Sequence, residues 1–510
     1  MQKISTAHSL PLFDIAATRR VEQLAASALQ PHTLMQRAGL AVARLSMALA
    51  PHARCIWVAC GPGNNGGDGF EAATHLHRWG KRVVVTQIEP GKNGLPPDAE
   101  AARKQALATG VTFADQPPPD FDFCIDSLLG IGASLDPARD GNARMLLWLQ
   151  AMRDSPAPCL AVDVPTGLNA DTGASIASQL AIHSGAARAR FHSPGARFTL
   201  SLLTLKPGLF THQGRDQAGV VCLDDLGVDV SQTQAVELPS AYLLGADAVT
   251  APQRLHSAHK GSFGDVAVVG GESNAQSHMA GAALLAASAA LHAGAGRVYV
   301  ALFGANQLTV DTRQPELMFR SLDALDFSAQ VVVCGCGGGQ AVKAVLPDVL
   351  SKASRLVLDA DALNAIASDM QLQTLLKVRG AQGYATVLTP HPLEAARLLQ
   401  STTEAVQSDR LGAAAQLAAR FQSTVVLKGS GSVVAAPGEI SRINSSGNAR
   451  LATAGTGDVL AGMVGATMAN GLGAFDAACS AVFRHGHTAD DWASAHRGET
   501  LTASRLATSI

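Results

Sequence analysis

Short apolar runs of strand length alternate with helix-length segments along both halves of the chain. The first half carries such runs at 55–60, 83–88, 121–125 and 159–162, after an opening helical region over 15–50. The second half carries six more, at 266–269, 297–302, 331–334, 356–358, 386–388 and 424–427. Near-continuous apolar strands separated by helices are typical of parallel sheets covered on both faces. The pattern predicts two α/β domains, each built on a doubly wound sheet.

A stretch of weak periodicity separates the two halves. Between residues 224 and 255 the apolar spacing fades, and Ser, Gln, Pro and Asp accumulate. We place the boundary near Ser240, which predicts domains over 1–240 and 241–510. A chain of 510 residues is long enough for two such domains, each with its own core.

Composition narrows the class of function. With 39 Lys and Arg against 41 Asp and Glu, the net charge is −2, which gives no overall attraction for nucleic acid. The longest apolar stretch, 279–296, is interrupted by Ser288 and His292 and predicts a buried helix rather than a membrane span. Eight scattered cysteines without metal-type spacing, and a first segment without an apolar signal core, indicate a reduced, cytoplasmic protein. We therefore expect small-molecule partners, with neither nucleic acid nor membrane.

A glycine-rich string follows the first predicted strand. Residues 61–69 read Gly-Pro-Gly-Asn-Asn-Gly-Gly-Asp-Gly, and a helix is predicted over 70–79. Glycines let a backbone approach a phosphate closely, and the N–H groups that open a helix can receive it. The string fits a dinucleotide fingerprint, but Asn64, Asn65 and Asp68 make it more polar than pyrophosphate binding requires. We expect this turn to hold more than a phosphate.

Two further polar clusters follow later strands, at 126–132 and 163–167. Because the carboxyl ends of parallel strands meet at one edge, these clusters should face the same crevice. An Asn carbonyl, an Asp carboxylate and a Thr hydroxyl make an all-oxygen set suited to a hard cation, while a second Asp stays free for acid/base work. Taken singly, each of these aspartates could equally be a helix N-cap.

Together with 34–39 and 206–209, these strings resemble the NAD(P)H-hydrate epimerase domain. The resemblance implies a Rossmann-like three-layer sandwich, with Asp163 as catalytic acid/base and K⁺ held by Asn65, Asp126 and Thr166, where the family commonly has Ser for the last. It also implies that Asp163 and two segments contact the hydrated nucleotide. Those segments are Asn64, Asn65, Gly66, Gly67 and Asp68, then Gly130, Ile131, Gly132, Ala133, Ser134, Leu135 and Asp136. This chain is longer than the family pattern between 173 and 206, where it carries Arg188, Arg190 and Arg197.

Near the far end of the chain, Gly455-Thr456-Gly457-Asp458 opens an apolar helix. Such a turn directs several N–H donors at one point and forms an anion hole, and Asp458 beside it can take a proton from an attacking hydroxyl. Phosphoryl transfer needs this pairing of a base with a preorganised positive pocket. The alternative is a structural glycine turn in which Asp458 only favours the helix dipole.

Three more strings follow strands of the second half. Lys428 to Ser432 offers a donor-rich turn for a nucleotide phosphate, although it lacks the Walker A order. His391 lies between two prolines, which would present it rigidly. Asp359 and Asp361 pair carboxylates two positions apart, an arrangement suited equally to Mg²⁺ or to capping the next helix.

In this order, and with 259–264, 270–271, 281–282 and 294–296, these strings resemble the ADP/ATP-dependent NAD(P)H-hydrate dehydratase of the ribokinase-like superfamily. The resemblance implies that the hydrated nucleotide is bound by Ala282, Gly337, Gly339, His391 and Asp458. It implies that adenosine phosphate is bound by Lys428, Gly429, Ser430, Gly431, Ser432 and Gly457. The family's Gly-Pro-Gly-Leu-Gly loop stands here as Gly335-Cys336-Gly337-Gly338-Gly339, which predicts a more flexible loop. The chain also looks a few residues longer than usual between Gly271 and Gly281.

Both resemblances on one chain imply a bifunctional repair enzyme. The first domain would interconvert R and S hydrates at C6 of the reduced nicotinamide ring. The second would dehydrate the S form at the expense of ADP, giving AMP and phosphate. We expect K⁺ in the first domain, Mg²⁺ in the second, and a homo-oligomer. One alternative is a ribokinase-like small-molecule kinase with a nucleotide-binding regulatory half. The other is a first half that is a nucleotide-binding or protein-interaction module without catalytic activity.

Overall fold

The protein is described from a computed structural model and divides into two compact units. The described residues are 1–92, 94–132, 135, 142–175, 196–228, 237–249, 255–275, 278–304 and 308–510. Unit 1 contains residues 1–4 and 11–240, and unit 2 contains residues 5–10 and 241–510. Five residues singled out from the sequence lie outside the described residues: Ala133, Ser134, Asp136, Arg188 and Arg190.

Unit 1 is an α/β unit whose strands form one sheet of eight. Its strands are β1 (Gln2–Lys3), β3 (Cys55–Cys60), β4 (Arg82–Gln87), β5 (Thr112–Ala114), β6 (Phe123–Ser127), β7 (Cys159–Val162), β8 (Arg197–Leu202) and β9 (Val220–Asp224), while β2 (Leu10–Leu12) lies outside this sheet. The order is β1-β9-β8-β7-β6-β3-β4-β5, and every pair is parallel except β1 with β9. The helices are α1 (Ile15–Ser27), α2 (Thr33–Leu49), α3 (Asn64–Arg78), α4 (Pro97–Ala108), α5 (Asn142–Asp154) and α6 (Gly214–Ala218).

Unit 2 repeats this architecture with ten strands. They are β10 (Ala241–Leu244), β11 (Asp265–Ser273), β12 (Arg297–Gly304), β13 (Met318–Phe319), β14 (Val331–Cys334), β15 (Arg355–Leu358), β16 (Ala385–Leu388), β17 (Thr424–Leu427), β18 (Val433–Ala435) and β19 (Arg442–Asn444). The order is β13-β12-β11-β14-β15-β16-β17-β18-β19-β10. Only β18 runs antiparallel to its neighbours in this series.

Ten helices accompany the strands of unit 2. They are α7 (Ala280–His292), α8 (Val342–Lys352), α9 (Asp361–Ala367), α10 (Met370–Ala381), α11 (Pro392–Leu399), α12 (Thr403–Ser408), α13 (Arg410–Phe421), α14 (Thr456–Ala469), α15 (Ala474–Ala495) and α16 (Ala503–Thr508). The apolar stretch over 279–296 forms the buried helix α7, as predicted. Within the described ranges, no helix combines the length and apolar character needed to cross a bilayer.

Alternating side chains of each strand face opposite layers of helices. On β14, Val333 packs into a core cluster with α7 and α14, and Val332 packs into a second cluster with α8 and α13. Both faces of the sheet are therefore covered, which is why its strands are apolar throughout. The doubly wound α/β class predicted from the sequence is confirmed.

Each sheet has a switch point, where strand order reverses and a crevice opens at the carboxyl ends. In unit 1 it lies between β3 and β6, the strands that lead into 61–69 and 126–132. In unit 2 it lies between β11 and β14, and β14 leads into the loop 335–339. The topology thus places the predicted motifs at the edges where such sheets bind ligands.

Candidate active sites

The glycine-rich string of unit 1 is the first turn of a helix. Helix α3 begins at Asn64, so the prediction that it begins at Phe70 is wrong by six residues. The glycines are required by close packing. A Cβ at Gly61 would overlap the carbonyl of Leu128, and one at Gly67 would lie 2.5 Å from Cε of Met35. Asn64, Asn65 and Asp68 therefore sit at a helix N-terminus, where backbone N–H groups favour anions.

Asp126 and Thr166 are directly bonded at the carboxyl edge of the sheet. The Thr166 hydroxyl donates to Oδ1 of Asp126 at 2.7 Å, and its backbone N–H donates to Oδ2 at 2.9 Å. The backbone N–H of Leu129 donates to Oγ1 of Thr166 at 3.0 Å. Both side chains are buried. Burial raises the pKa of Asp126, and the bonds from Thr166 oppose that shift.

Asn65 lies beside this pair. Its carbonyl accepts a hydrogen bond from the hydroxyl of Ser127, the residue after Asp126. A Cβ at Gly130 would lie 3.3 Å from Cβ of Asn65, so the amide borders the loop after β6. The Asn65 side chain is buried, and its Nδ2 has no hydrogen-bond partner among the described residues. The structure thus bonds Thr166 to Asp126 and places the backbone of Asn65 against Ser127, the residue after Asp126.

Asp163 follows β7 and pairs with a buried lysine. Its backbone is left-handed, with φ of 66°. Nζ of Lys206 contacts its Oδ1, and the backbone N–H of Leu202 donates to the same oxygen at 3.1 Å. Lys206 is fully buried and also donates to the Leu202 carbonyl at 2.8 Å. The sequence motif contained Lys206, but nothing in the sequence indicated that it meets Asp163.

A second acid of unit 1 is electrostatically coupled to Asp163. Burial raises the pKa of Asp68 well above its ordinary value, and the charges of Asp163 and Glu22 raise it further. The surroundings of Asp68 thus oppose its charged form, while Asp163 has a cation beside it. Pairs of carboxyl groups in such contrasting environments are typical of acid/base sites.

The loop after β6 carries the remaining predicted substrate contacts of unit 1. Gly130, Ile131 and Gly132 lie at its start, Gly132 has φ of 79°, and Leu135 is buried. A Cβ at Gly132 would overlap the guanidinium of Arg19. Arg19, on α1, thus borders the loop, and no motif in the sequence pointed to this residue.

In unit 2, Asp458 faces two groups from other strand ends. Helix α14 starts after Gly455, whose φ of 90° turns the chain into the helix, and Asp458 lies in the first turn. One oxygen of Asp458, one of Asp359 and the Sγ of Cys336 lie within 4.8 Å of one another. Burial and the charge of Asp359 raise the pKa of Asp458 to about 7. That value suits a general base near neutral pH.

Asp359 is committed to Lys428. Nζ of Lys428 lies 2.6 Å from Oδ1 of Asp359, and the hydroxyl of Thr389 donates to the same oxygen at 2.7 Å. Burial opposes the charged form of Lys428, but the charges of Asp359 and Glu394 outweigh it and raise its pKa. A Cβ at Gly457 would lie 3.3 Å from Nζ of Lys428. The lysine side chain therefore lies against the first turn of α14.

Asp361 ties two loops together. Its Oδ2 accepts the backbone N–H of Gly339 at 2.9 Å, and Asp361 is the first residue of α9. The carboxylates of Asp359 and Asp361 are thus engaged by Lys428, Thr389 and the Gly339 amide. Neither is the N-cap of α9, which is Ala360. The donor set does not fit a Mg²⁺ site built on this pair.

His391 caps the N-terminus of helix α11, and the Glu394 side chain bonds the backbone of His391 in return. Nδ1 of His391 accepts the backbone N–H of Leu393 at 3.1 Å, while Glu394 accepts that of His391 at 2.7 Å. Burial raises the pKa of Glu394 to about 7, and burial with the charge of Lys428 lowers that of His391. The sequence analysis missed Glu394, although its position three residues after the cap is the spacing of a capping box.

A buried arginine, Arg410, holds the backbone at the start of the turn 428–432. Gly429 has φ of 142° and Gly431 has φ of 60°, while the N–H of Gly429 faces Oγ of Ser432 at 3.3 Å. The guanidinium of Arg410 donates to the carbonyls of Leu427 and Lys428 at 3.2 and 3.3 Å. The donor-rich turn is therefore fixed by Arg410, which the sequence analysis also missed.

The loop 335–339 meets the start of α7. A Cβ at Gly337 would lie 2.9 Å from Cβ of Ala282, and one at Gly339 would overlap the carboxylate of Glu272. Glu272 accepts the backbone N–H groups of Gln340 and Ala341 at 3.2 and 3.1 Å. Gly337 thus lies against Ala282, and Gly339 lies against Glu272.

Comparisons with known proteins match both units. Residues 31–208 match the family described as YjeF-related protein N-terminus, and residues 266–510 match the family described as NAD(P)H-hydrate dehydratase. The bifunctional NAD(P)H-hydrate repair enzyme Nnr of Escherichia coli (strain K12) is 36% identical over 487 residues, which cover 92% of this chain and 88% of that protein. This chain belongs to the family of bifunctional NAD(P)H-hydrate repair enzymes. As a repair enzyme it has two activities, epimerisation and dehydration of hydrated NADH and NADPH.

Two further proteins resemble the second half of this repair enzyme. The ADP-dependent (S)-NAD(P)H-hydrate dehydratase of Neisseria meningitidis serogroup B is 44% identical over 247 residues, covering 46% of this chain and 80% of that protein. The crystal structure of the ADP/ATP-dependent NAD(P)H-hydrate dehydratase of Bacillus subtilis, co-crystallized with ATP/Mg²⁺, is 28% identical with a TM-score of 0.43, covering 51% of this chain and 92% of that one. The family and the enzyme class predicted from the sequence are confirmed.

Proposed function

We propose that unit 1 performs the epimerisation and unit 2 the dehydration. The domain limits are 1–240 and 241–510, except that residues 5–10 pack with the second domain. One observation carries this division. Each unit holds its own acid paired with a lysine after a strand, Asp163 with Lys206 and Asp359 with Lys428. Each set lies within the part of the chain matched by a different family.

In the epimerase domain, Asp163 moves the proton. The ring nitrogen of the hydrated nicotinamide assists departure of hydroxide from C6, which takes a proton from Asp163 and leaves as water. Water then adds to either face of C6 as Asp163 takes a proton back. Asp163 accepts and returns the proton, and Lys206 holds its carboxylate in place. Asp68 hydrogen-bonds the nucleotide. The first turn of α3, from Asn64 to Asp68, and the loop from Gly130 to Asp136 bind the rest of the substrate.

K⁺ fits the cluster of Asn65, Asp126 and Thr166. All three side chains offer oxygen, which hard cations prefer, and all three residues are buried at the carboxyl edge of the sheet. When bound, K⁺ supplies positive charge for the substrate's phosphates. These residues orient the loop after β6, because Thr166 joins Asp126 to the Leu129 amide.

We expect epimer exchange to require K⁺. When the Thr166 hydroxyl is removed, the dependence on K⁺ should be lost. In Thr166→Val, exchange should fall at least about tenfold and K⁺ should no longer raise Tm, because the hydroxyl ligand is gone. Thr166→Ser keeps the hydroxyl and should respond to K⁺ as the unaltered protein does. Exchange rate and Tm are measured in KCl and in choline chloride. Equal exchange in both salts for the unaltered protein would refute the K⁺ site.

In the dehydratase domain, Asp458 accepts the proton of the 6-hydroxyl of the S hydrate. That oxygen attacks the terminal phosphorus of ADP, and AMP leaves. The C6–O bond then breaks as phosphate departs, a proton leaves C5, and the ring double bond is restored. Residues 428–432 and Gly457 hold the phosphates of ADP, and the amides of the Gly455–Gly457 turn stabilise the transferring phosphoryl group. Ala282, Gly337, Gly339 and His391 bind the nicotinamide nucleotide.

Mg²⁺ enters with ADP in this proposal. No residue is assigned to it, because Asp359 and Asp361 already bond Lys428, Thr389 and the amide of Gly339. We further propose a cytoplasmic homo-oligomer. The eight cysteines support a reducing compartment, since all are free thiols and buried. Cell fractionation and light scattering test these two points.

The whole cycle is tested by recovery of near-ultraviolet nicotinamide absorbance from mixed R and S hydrates of NADH. With ADP, Mg²⁺ and K⁺, we expect the full mixture to recover, since R converts to S as S is consumed. Recovery that stops at the S fraction would remove the epimerase assignment. A stable phosphorylated product without recovery would identify a small-molecule kinase instead.

A further inference from the structure

Arg410, the first residue of α13, is buried beneath a turn that is itself exposed. Arg410 is 1% exposed, whereas Gly429 at the head of the turn 428–432 is open to solvent. The guanidinium donates to Oε1 of Gln407 at 2.7 Å and to the carbonyls of Leu427 and Lys428 at 3.2 and 3.3 Å. Arg410 therefore supports the turn from the protein interior, and a nucleotide on the exposed side of the turn does not touch it.

These bonds set the direction of the next peptide group. In a trans peptide, the carbonyl of one residue and the N–H of the next point in opposite directions. Because the Lys428 carbonyl is directed at Arg410, the N–H of Gly429 is directed away from it, toward Oγ of Ser432 at 3.3 Å. The N–H of Lys428 donates to the Pro390 carbonyl at 2.9 Å, so the backbone of Lys428 is held from both sides.

Gly429 is the residue that allows this contact. Its φ of 142° lies in the region that favours glycine, and a Cβ there would lie 2.8 Å from Nη1 of Arg410. A larger residue would have to displace either the guanidinium or the turn. The glycine that follows Lys428 in the sequence is thus explained by the arginine beneath it.

The position is a costly one for an arginine. A buried charge lowers stability unless it is well bonded, and a cation at a helix N-terminus opposes the helix dipole. Burial lowers the pKa of Arg410 to about 10, so the guanidinium keeps its charge near pH 7. A cation in this place favours the binding of an anion at the turn above it, because a buried charge is only weakly screened.

We propose that Arg410 is a positioning residue of the dehydratase, which presents the Gly429 N–H and its own positive charge to a phosphate group of ADP. The proposal rests on the assignment of the turn 428–432 to ADP given above. Arg410 acts through the turn and does not contact the substrate. The transferring phosphoryl group is assigned to the Gly455–Gly457 turn, so loss of Arg410 should weaken ADP binding without slowing the chemical step.

Arg379 provides a matched control within the same unit. It is also 1% exposed, and its guanidinium donates to Oγ1 of Thr386 at 2.7 Å and to the carbonyls of Leu350 and Ala385 at 3.4 and 3.3 Å. Burial lowers its pKa to about 10 as well. Arg379 meets the start of β16, however, whereas the turn 428–432 follows the end of the parallel strand β17. The two arginines thus lie at opposite edges of the sheet.

The test is the KM for ADP, the KM for S hydrate and the kcat of dehydration in the unaltered protein and three variants. In Arg410→Met the KM for ADP should rise about tenfold or more, because a charge-assisted hydrogen bond to phosphate is lost, while the KM for S hydrate and kcat at saturating ADP stay unchanged. Arg410→Lys keeps the charge but lacks the planar fork, so its KM for ADP should rise about threefold. Arg379→Met should lower Tm as Arg410→Met does and keep the KM for ADP.

Three results would overturn the proposal. The first is an unchanged KM for ADP in Arg410→Met, or in Arg410→Lys if the methionine variant does not fold by circular dichroism. The second is an equal rise in Arg379→Met, because general destabilisation would then be the cause. The third is a rise in the KM for S hydrate instead, which would give the turn to the nicotinamide nucleotide. If the unaltered protein shows no ADP-dependent dehydration, the proposed function itself fails, and this role with it.

Discussion

Asp163→Asn should slow exchange between the R and S hydrates by about 10²–10⁴-fold, because an amide cannot accept or return the proton. Asp163 is held at the end of β7 by Lys206 and by the Leu202 amide, so the substitution preserves the shape of the site. Dehydration of purified S hydrate with ADP should be unchanged, since Asp458 lies in the other unit. Exchange is followed by NMR as R appears from S without ADP.

The same substitution leaves Lys206 buried without its carboxylate, which destabilises the fold by about 3–5 kcal/mol. The double variant Asp163→Asn with Lys206→Met removes that unpaired charge. It should regain Tm while exchange stays slow, which separates stability from chemistry. Asp120→Asn changes an exposed carboxylate just before β6 and should keep full exchange. Loss of both activities in Asp163→Asn would contradict the division between the units.

Asp458→Asn should reduce dehydration of the S hydrate by about 10²–10⁴-fold, because the base that takes the 6-hydroxyl proton is gone. In the unaltered protein the rate should fall as pH drops through about 7, where Asp458 becomes protonated. The sign follows from its role, since only the carboxylate form accepts a proton. Both effects are read from single-turnover rates with saturating ADP and Mg²⁺.

Asp476→Asn is the matched control for that experiment. Asp476 is an exposed carboxylate in the first turn of α15, so its loss should leave the rate and the pH profile unchanged. Epimer exchange in Asp458→Asn should continue at its ordinary rate. Dehydration that retains more than about a tenth of its rate would remove Asp458 from the role of base, since the weakest base catalysis expected is about 10²-fold.

The strands that the apolar pattern predicts best are those buried on both faces. Cys55–Cys60, Cys159–Val162, Val331–Cys334 and Thr424–Leu427 lie at the predicted residues. The apolar pattern does not predict strands β8 and β19, because polar and charged side chains interrupt their apolar positions, as in Arg442–Asn444. A hydrophobic run signals a central strand, and an edge or mixed strand gives a weaker signal.

The start of α3 at Asn64 could not be predicted from local helix propensity. Three glycines within Asn64–Gly69 predict a loop, since glycine is a poor helix former. The helix forms there because Gly67 packs against Met35 and Gly69 lies against the Ser127 and Cys60 side chains. Tertiary contact overrides propensity at the site where the backbone must lie closest to its neighbours.

The acids of both sites could be predicted, but their cations could not. Asp163, Asp359 and Asp458 follow strands or open a helix, which is visible in the sequence. Lys206 lies 43 positions from Asp163, and Lys428 lies 69 positions from Asp359. Which lysine meets which acid depends on strand order, and strand order is a property of the folded sheet.

Residues 5–10 belong to unit 2, so unit 2 cannot finish folding without a segment that precedes unit 1 in the chain. Ser9 donates to Asp247 at 2.8 Å, its hydroxyl accepts the N–H of Gly245 at 3.0 Å, and Ala246 donates to Thr6 at 2.8 Å. During synthesis on the ribosome this segment is made more than 230 residues before its partners. A fragment that begins at residue 241 would lack the segment altogether. The two activities can be assigned to separate halves, but the polypeptide cannot be cut cleanly between them.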